Sequence, residues 1–340
     1  MATAPLRPTP RAISLLGTGH AVPATRVASA DLDQRLGLPK GSVEMAGGVR
    51  QRHFAERTET AAQLGALAAR RALDAAGLAP RDIDCLVAAS GTMDQGMPSN
   101  AALIHRELGL SALGTPAFDV NASCLSFLAA LDTLSWPVAA GRYRRVLIVA
   151  ADIASCGLDW DTLEASAIFG DGAAAAVLGP SEGGTGARLL AADLMTLSEG
   201  ADLCRIPGGG SRHHPSRIDQ AFDPLALFRM DGKGVFRLAA EHLPSFVTRL
   251  LAAAGLSLSD IDWIVPHQAS HLALSHMVKR LGFARDKVID IFADHGNQIA
   301  ASLPTALDIG IRDGRIRRGD RLLLIGTGAG LSLGGVVLAY

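Results

Sequence analysis

The chain has few aromatic residues, few cysteines and no excess of charge of either sign among its 340 residues. Its 32 basic and 33 acidic residues nearly cancel, so no nucleic-acid or membrane-surface partner is indicated. The four cysteines are widely spaced and form no C-x-x-C pair, which argues against both a metal site and a disulfide framework: Cys85, Cys124, Cys156 and Cys204. A reducing cytoplasm fits this use of cysteine.

Long apolar runs are also missing. The first residues, MATAPLRPTPRAISLLGTGHAVP, contain no signal-peptide core of about 7–15 apolar residues, and no segment reaches the roughly 18 that a membrane span needs. The segment GDG (170–172) opens no G-x-G-x-x-G fingerprint, so a bound dinucleotide cofactor is not expected. What the chain has is 37 glycines and a hydrophobic share of 49%, which favour helices packed closely on sheets.

The chain contains an internal repeat. AAGLAPRDIDCLVAAS (75–90) resembles AAGLSLSDIDWIVPHQ (253–268) at an offset of 178 residues, and GRYRRVLIVAAD (141–152) resembles GRIRRGDRLLLIGTG (314–328) at an offset of 173. Each half alternates strand-like and helix-like segments, which predicts an α/β fold with buried, mostly parallel strands. We expect two similar halves, residues 1–180 and 181–340, around a pseudo-twofold axis.

One cysteine has a distinctive setting. In AFDVNASCLSFLAAL (117–131), Cys124 lies between a strand-like run expected to be buried and a helix-like run that begins at Leu125. A free cysteine is most often a small core residue. At the first turn of a helix, however, unpaired N–H groups and the helix dipole lower the pKa of a thiol and suit a nucleophile. On the residue alone both interpretations stay open.

Two distant residues are predicted to approach Cys124. The 173-residue offset carries Cys124 onto Asn297, in DHGNQIAASLPTAL (294–307). His267 follows the repeated apolar strand, at the edge of the sheet where α/β proteins usually bind ligands. The alternatives are a core histidine for His267, a helix N-cap for Asn297, and His295 in place of His267 as the partner of the thiol.

Together these residues resemble the β-ketoacyl-acyl-carrier-protein synthase III family of thiolase-fold condensing enzymes. The resemblance covers nearly the whole chain from Leu16 onward. It implies a duplicated five-layer α-β-α-β-α fold, a homodimer, and a catalytic Cys-His-Asn triad at Cys124, His267 and Asn297. The segments that carry it are GGVRQRHFA (47–55), PAFDVNASC (116–124), IFGDGAAAAVL (168–178), MDGKGVF (230–236), IVPHQAS (264–270), HGNQIAAS (295–302) and GTGAG (326–330).

The resemblance also implies the chemistry. An acyl group from acyl-CoA or an acyl-carrier protein is loaded onto Cys124, with an oxyanion hole formed by the N–H groups of Cys124 and Ala329. Decarboxylative Claisen condensation with a malonyl thioester, malonyl-acyl-carrier protein, follows without a cofactor, in fatty-acid or specialised acyl or polyketide biosynthesis. The alternative is acyl transfer to an alcohol or amine without condensation. A degradative thiolase is not indicated, because the GTGAG loop lacks a second cysteine.

Further positions follow from the same resemblance. Met97, reaching across from the partner subunit, and Phe236 are expected in the acyl pocket. Arg237, Lys279 and Arg280 are expected to dock the acyl-carrier protein.

Three positions depart from the pattern of the family. The tryptophan and arginine that hold the adenine ring of coenzyme A correspond to Ser42 and Leu163, and a further docking arginine corresponds to Leu272. A serine and a leucine cannot sandwich an aromatic ring as a Trp–Arg pair does. We therefore expect weaker binding of coenzyme A thioesters, with the identity and chain length of the starter left open.

Overall fold

The structure, a computed structural model, describes residues 10–181 and 186–340. The strands of the first half are β1 (Ile13–Ala21), β2 (Thr25–Ala28), β3 (Gln51–Phe54), β4 (Cys85–Ala88), β5 (Ala117–Asp119), β6 (Val146–Asp152) and β7 (Gly172–Pro180). Its helices are α1 (Ser29–Leu36), α2 (Ser42–Gly47), α3 (Ala61–Ala75), α4 (Asn100–Glu107), α5 (Ser126–Ala139) and α6 (Leu163–Ser166).

The second half repeats this alternation. Its strands are β8 (Arg188–Thr196), β9 (Cys204–Arg205), β10 (Arg229–Met230), β11 (Trp263–Pro266), β12 (Arg321–Gly328) and β13 (Ser332–Ala339). Its helices are α7 (Gly232–Ala253), α8 (His271–Leu281), α9 (Phe292–His295) and α10 (Ser302–Arg312). The expected boundary between residues 180 and 181 falls where β7 ends, and residues 182–185 lie outside the described part of the chain.

The two large sheets have the same topology. The first has the strand order β1-β7-β6-β4-β5 and the second has the order β8-β13-β12-β11. In both sheets the first two neighbouring pairs are antiparallel and the next pair is parallel. A parallel bridge from Ile264 to Val288 stands where β5 stands in the first sheet. The repeated order of hydrogen-bonded strands agrees with the duplication read from the sequence.

Helices and sheets form five layers. Helices α3 and α4 cover the outer face of the first sheet, and α7, with α8 beside it, covers the outer face of the second. Helices α5 and α10 lie between the sheets: α5 contacts β6 and β7 on one side and β8 and β13 on the other, and α10 contacts β1, β7 and β11. This is the predicted α-β-α-β-α order.

Small residues allow the layers to approach closely. Strand β6, VLIVAAD, is buried along its whole length, and α3 presents a largely alanine face to the first sheet. At Gly17 on β1, a Cβ atom would overlap the backbone carbonyl oxygen of Ala72 on α3. The expectation that glycine and alanine mark close helix–sheet packing is confirmed at this contact.

The structure corrects the alignment of the two halves at the start of the central helices. The Asn121 side chain accepts a hydrogen bond from Ser123 N–H, and the Asn297 side chain accepts one from Ile299 N–H, both at 2.9 Å. Ser123 and Ile299 share a φ of 53°. Asn297 therefore corresponds to Asn121, at an offset of 176, and not to Cys124. The offset of 173 holds only after these helices, because α10 has 11 residues and α5 has 14.

Two local expectations were also wrong. The strand at residues 117–120 was expected to be buried, but β5 forms the edge of its sheet and Phe118 is 40% exposed. The helix was expected to begin at Leu125, but α5 begins at Ser126 with Leu125 as its N-cap. Cys124 therefore precedes the helix.

Within the described residues, no helix combines the length and the apolar character that crossing a bilayer requires.

We predict that Gly17→Ala lowers the free energy of unfolding by about 2–3 kcal/mol, because the new methyl group would push α3 away from β1. Chemical denaturation monitored by circular dichroism measures the change. Gly210→Ala is the control, since a Cβ atom there has no neighbour within 4 Å. Equal stability of the Gly17→Ala variant and the parent chain would contradict the packing described for β1 and α3.

Candidate active site

A strained turn presents Cys124. Ser123 has a φ of 53°, a left-handed conformation that residues other than glycine seldom adopt. The Asn121 side chain holds the Ser123 N–H, and the hydroxyl of Ser126 donates to the Ser123 carbonyl oxygen at 2.6 Å. The same hydroxyl accepts a hydrogen bond from Ala122 N–H at 2.9 Å. The turn is thus fixed from both sides, and Cys124 follows it directly.

The thiol of Cys124 is protonated in the resting protein. Burial raises its pKa to about 12, and the negative charge of Asp152 acts in the same direction. The N–H groups of Ala329 and of Cys124 itself favour the thiolate but are outweighed. The expectation of a low thiol pKa was therefore wrong. Cys124 lies before the N-cap of α5, and loss of hydration dominates its ionisation.

His267 supplies an uncharged imidazole. It follows β11, its N–H donates to the Ile325 carbonyl oxygen at 2.8 Å, and the residue is 4% exposed. Burial lowers the pKa of its ring to about 4. Nδ1 is buried and has no hydrogen-bond partner among the residues that the structure describes. The ring is therefore neutral at physiological pH and keeps unused hydrogen-bonding capacity.

Asn297 has an oriented amide. Its Oδ1 accepts a hydrogen bond from Ile299 N–H, which is the N-cap-like role given above as an alternative. Its Nδ2 donates to the Ala269 carbonyl oxygen at 3.3 Å, two residues beyond His267. The backbone N–H of Asn297 donates to Ile168 O at 2.7 Å. The capping role leaves the N–H₂ group directed towards the segment that carries His267.

The segments that carry these residues meet at the glycine-rich end of β12. A Cβ atom at Gly326 would lie 2.7 Å from the Cβ of His267 and 3.2 Å from a methyl carbon of Leu125. At Gly328 it would lie 3.3 Å from the carbonyl oxygen of Ala122. Beyond Gly328, the N–H of Ala329 acts on the Cys124 thiol. The turn of Cys124, the segment of His267 and the proposed oxyanion donor thus surround one strand end.

The two residues expected in the acyl pocket lie in different settings. Met97 extends from the loop between β4 and α4 and is 84% exposed. Phe236 on α7 is 42% exposed and packs edge-to-face on the ring of His276, with 4.5 Å between ring centroids. Within this single chain Met97 is open to solvent, as a residue that completes the pocket of a partner would be. Both pocket assignments stay predictions.

The expected docking residues share a surface. Arg237 is on α7, Lys279 and Arg280 are on α8, the two helices pack together, and all three side chains are exposed. Leu272, at the start of α8, is 76% exposed. Helices α7 and α8 thus present three exposed basic side chains and one exposed apolar side chain, and their docking role stays a prediction.

His295 belongs to a separate histidine pair. Its ring lies edge-on to His20, with 6.4 Å between centroids, and the Nδ1 of His20 is 2.6 Å from a carboxylate oxygen of Asp308. Burial is the largest cause of the lowering of the pKa of His295 to about 4, and His20 and His53 lower it further. These contacts give no support to His295 as the partner of Cys124.

The coenzyme A positions carry no ring-binding groups. The hydroxyl of Ser42 donates to the Pro39 carbonyl oxygen at 2.7 Å. Leu163 packs into an apolar cluster with Val43 and Trp160. Neither position presents a flat ring or a guanidinium group.

Sequence reasoning missed one residue near the thiol. Asp152 is fully buried at the end of β6, and the acid that closes the apolar run VLIVAAD was the available signal.

Known proteins share this sequence and fold. A family model described as 3-oxoacyl-[acyl-carrier-protein (ACP)] synthase III matches residues 118–198, and the model of the C-terminal part of that family matches residues 251–340. The chain is 38% identical over 324 residues to β-ketoacyl-[acyl-carrier-protein] synthase III of Neisseria meningitidis, covering 95% of this chain and 98% of the relative. It is 39% identical over 330 residues to the enzyme of that name from Sphingopyxis alaskensis, covering 97% and 99%.

Solved structures agree. The crystal structure of 3-oxoacyl-(acyl carrier protein) synthase III from Pseudomonas aeruginosa superposes with a TM-score of 0.86 and 33% identity, covering 97% of this chain and 98% of that one. OleA from Xanthomonas campestris, with a TM-score of 0.84, 23% identity and coverage of 97% and 99%, shares the fold. With near-complete coverage at these identities, the chain belongs to the β-ketoacyl-acyl-carrier-protein synthase III family of thiolase-fold enzymes.

Proposed function

We propose that this enzyme performs a decarboxylative Claisen condensation between an acyl thioester and a malonyl thioester, the latter carried by an acyl-carrier protein. Cys124, His267 and Asn297 are the proposed catalytic residues. The observation that carries the proposal is that the turn of Cys124 and the segment of His267 meet at the glycine-rich end of β12, beside the N–H group of Ala329, while the amide of Asn297 donates to Ala269 in the segment of His267. Membership of the family supports the same reaction.

In the loading step, the sulfur of Cys124 attacks the carbonyl carbon of the acyl thioester. The N–H groups of Cys124 and Ala329 stabilise the oxyanion of the tetrahedral intermediate. When the intermediate collapses, the C–S bond to the donor breaks and the departing thiol takes up the proton that Cys124 loses. Net charge in the buried site is unchanged, which suits a thiol whose pKa is about 12 in the resting protein.

In the condensation step, His267 and Asn297 each donate an N–H to the thioester oxygen of the malonyl group. Carbon dioxide leaves, and the electron pair of the broken C–C bond forms an enolate whose oxygen these donors stabilise. The enolate carbon attacks the acyl carbonyl carbon, the bond from that carbon to the sulfur of Cys124 breaks, and the departing thiolate takes up a proton from water to restore the thiol. A ring with a pKa of about 4 donates as a neutral group. Losing one such donor typically costs about 2.7–4 kcal/mol of barrier.

The acyl donor is proposed to be a specialised thioester or one delivered by a carrier protein. Ser42 and Leu163 offer an adenine ring neither stacking nor a cation–π contact, and the neighbourhood of Leu163 is apolar. The docking surface of Arg237, Lys279 and Arg280 provides a basic face for the carrier protein. The steps proposed above need neither a metal nor an organic cofactor.

We further propose that two copies of the chain form a homodimer through β5. Among residues 10–181 and 186–340 this strand pairs only with β4, and its other edge has no strand beside it. Around it lie exposed apolar side chains: Phe118 is 40%, Leu113 is 52% and Met93 is 53% exposed. A dimer would cover these side chains and give Met97 a partner pocket to enter.

The four free cysteines agree with a reducing, cytoplasmic location.

The first prediction concerns the acyl-enzyme. Incubation with acyl donors should add one acyl mass to the protein in intact mass spectrometry, and Cys124→Ala should abolish the adduct, while the control Cys156→Ala keeps it. Malonyl-acyl-carrier protein should then release carbon dioxide. An adduct that persists in Cys124→Ala would remove Cys124 from its role. A loaded enzyme that passes its acyl group to an alcohol or amine without releasing carbon dioxide would identify the alternative acyltransferase.

The second prediction concerns the donor. Loading of Cys124 from acyl-carrier protein should be at least about tenfold more efficient than loading from the matching acyl-CoA, because the ring contacts are absent. Rates measured over several chain lengths give the comparison. Acetyl-CoA as the best donor, with a micromolar KM, would show that the missing contacts are unimportant.

The third prediction concerns the dimer. Phe118→Asp should convert the protein to a monomer in analytical ultracentrifugation, since it places a charge on the open edge of β5. Leu67→Asp is the matched control, because Leu67 is 42% exposed on α3 and should leave the dimer intact. A parent chain that sediments as a monomer, or a Phe118→Asp variant that remains dimeric, would contradict pairing through β5.

A further inference from the structure

Asp152 joins the two halves of the chain beneath the active site. It is 0% exposed at the end of β6. Its Oδ1 accepts hydrogen bonds from Gly91 N–H at 2.8 Å, from Thr92 N–H at 2.7 Å and from the Thr92 hydroxyl at 3.0 Å. Its Oδ2 accepts one from Ala301 N–H, just before α10, at 3.2 Å. One carboxylate therefore connects a loop of the first half with the start of the central helix of the second.

The loop of Gly91 and Thr92, which Asp152 holds by hydrogen bonds, packs between the turns at Ser123 and Ile299. A Cβ atom at Gly91 would lie 2.6 Å from a methyl carbon of Ile299 and 3.4 Å from the carbonyl group of Ser123. These two residues have the left-handed φ values described above. Ser123 precedes Cys124, and Ile299 is held by the side chain of Asn297. A shift of the Gly91 segment would therefore move both the nucleophile and the amide.

The charge of Asp152 has no cation to balance it in the part of the chain that the structure describes. No ion pair includes it there, so four hydrogen bonds alone hold the carboxylate. Burial raises its pKa to about 6, while these hydrogen bonds oppose the rise. The carboxylate of Asp152 acts on the Cys124 thiol, whereas Cys204, whose pKa burial raises to about 11, and His267 are both neutral near pH 7. At neutral pH Asp152 thus supplies a negative charge beside the thiol.

We propose that Asp152 is a positioning residue: it fixes the Gly91 segment between the turns of Cys124 and Asn297, and its negative charge adds to burial in disfavouring the thiolate of Cys124 until an acyl donor binds. This role rests on the proposed function of Cys124. A thiolate is the form that reacts with stray electrophiles and oxidants. A buried carboxylate that disfavours it would protect the resting nucleophile, while the loading step moves no net charge into the site.

The test measures alkylation of Cys124 by iodoacetamide as a function of pH, with the modified peptides separated by mass spectrometry. This readout needs no substrate, so it does not depend on whether the proposed condensation is correct. In Asp152→Asn the Cys124 rate should rise about fivefold above pH 6, where the parent carboxylate is ionised, and approach the parent rate below it. A variant that merely loosened the pocket would be faster at every pH.

Asp171→Asn is the matched control. Asp171 is also 0% exposed, and it accepts hydrogen bonds from the N–H groups of Ala55 and Ser155 at 2.8 and 2.9 Å. Burial is the largest cause of the raised pKa of both Cys156 and Cys124, and the charge of Asp171 adds to it at Cys156 as that of Asp152 does at Cys124. Asp171→Asn should therefore speed alkylation of Cys156 alone, and Asp152→Asn that of Cys124 alone. A folded Asp152→Asn variant with the parent profile at Cys124 would overturn the proposal.

A second variant covers the case in which Asp152→Asn fails to fold. Thr92→Val removes one hydrogen bond to the ionised carboxylate and so raises the pKa of Asp152 further. Near neutral pH more of Asp152 is then protonated, and Cys124 should be alkylated about twofold faster than in the parent, with no difference at about pH 9 where the carboxylate is ionised in both. Identical profiles from about pH 6 to pH 9 would overturn the proposal independently.

Discussion

The two sheets share a single central layer of helices, and this sharing brings the starts of α5 and α10 together. Each helix contacts both sheets, so neither can move outward without exposing apolar surface. Their first residues are preceded by equivalent turns, held by Asn121 and Asn297. Closeness at the site is thus a result of packing. The small residues of β12 then set how near the segment of His267 can come.

The same burial determines the electrostatics of the site. Removing water raises the pKa of Cys124 to about 12 and lowers that of His267 to about 4, so both resting groups are neutral. A reaction that passes through an enolate needs hydrogen-bond donors more than it needs a resting ion pair. An amide in Asn297, which cannot ionise, fits such a neutral site.

Much of the fold was predictable because the internal repeat and the alternation of strands and helices can be recognised from short segments of the sequence. His267 was placed correctly after an apolar strand, whereas Cys124 precedes the helix whose first turn it was expected to occupy. The correspondence of Cys124 with Asn297 was wrong because the offsets of 178 and 173 show that the halves differ in length between the two repeated segments, but only the hydrogen bonds around Asn121 and Asn297 show where. The pKa of Cys124 was misjudged because a helix start is visible in a sequence, whereas the degree of desolvation depends on every layer around it. Asp152 was missed because its partners come from two distant segments, Gly91–Thr92 and Ala301.

The corrected equivalence has a consequence for how the two halves diverged. At the offset of 176 the residue that corresponds to Cys124 is Ala300, which is fully buried and follows the turn residue Ile299 as Cys124 follows Ser123. After the duplication of an ancestral half, both copies thus kept a demanding backbone turn, while one carries a thiol in it and the other a methyl group. The two halves therefore share the backbone conformation of this turn but not the side chain that follows it. A nucleophile in one half alone then required only a change of side chain at the position of Cys124 and Ala300, with the backbone of the turn kept.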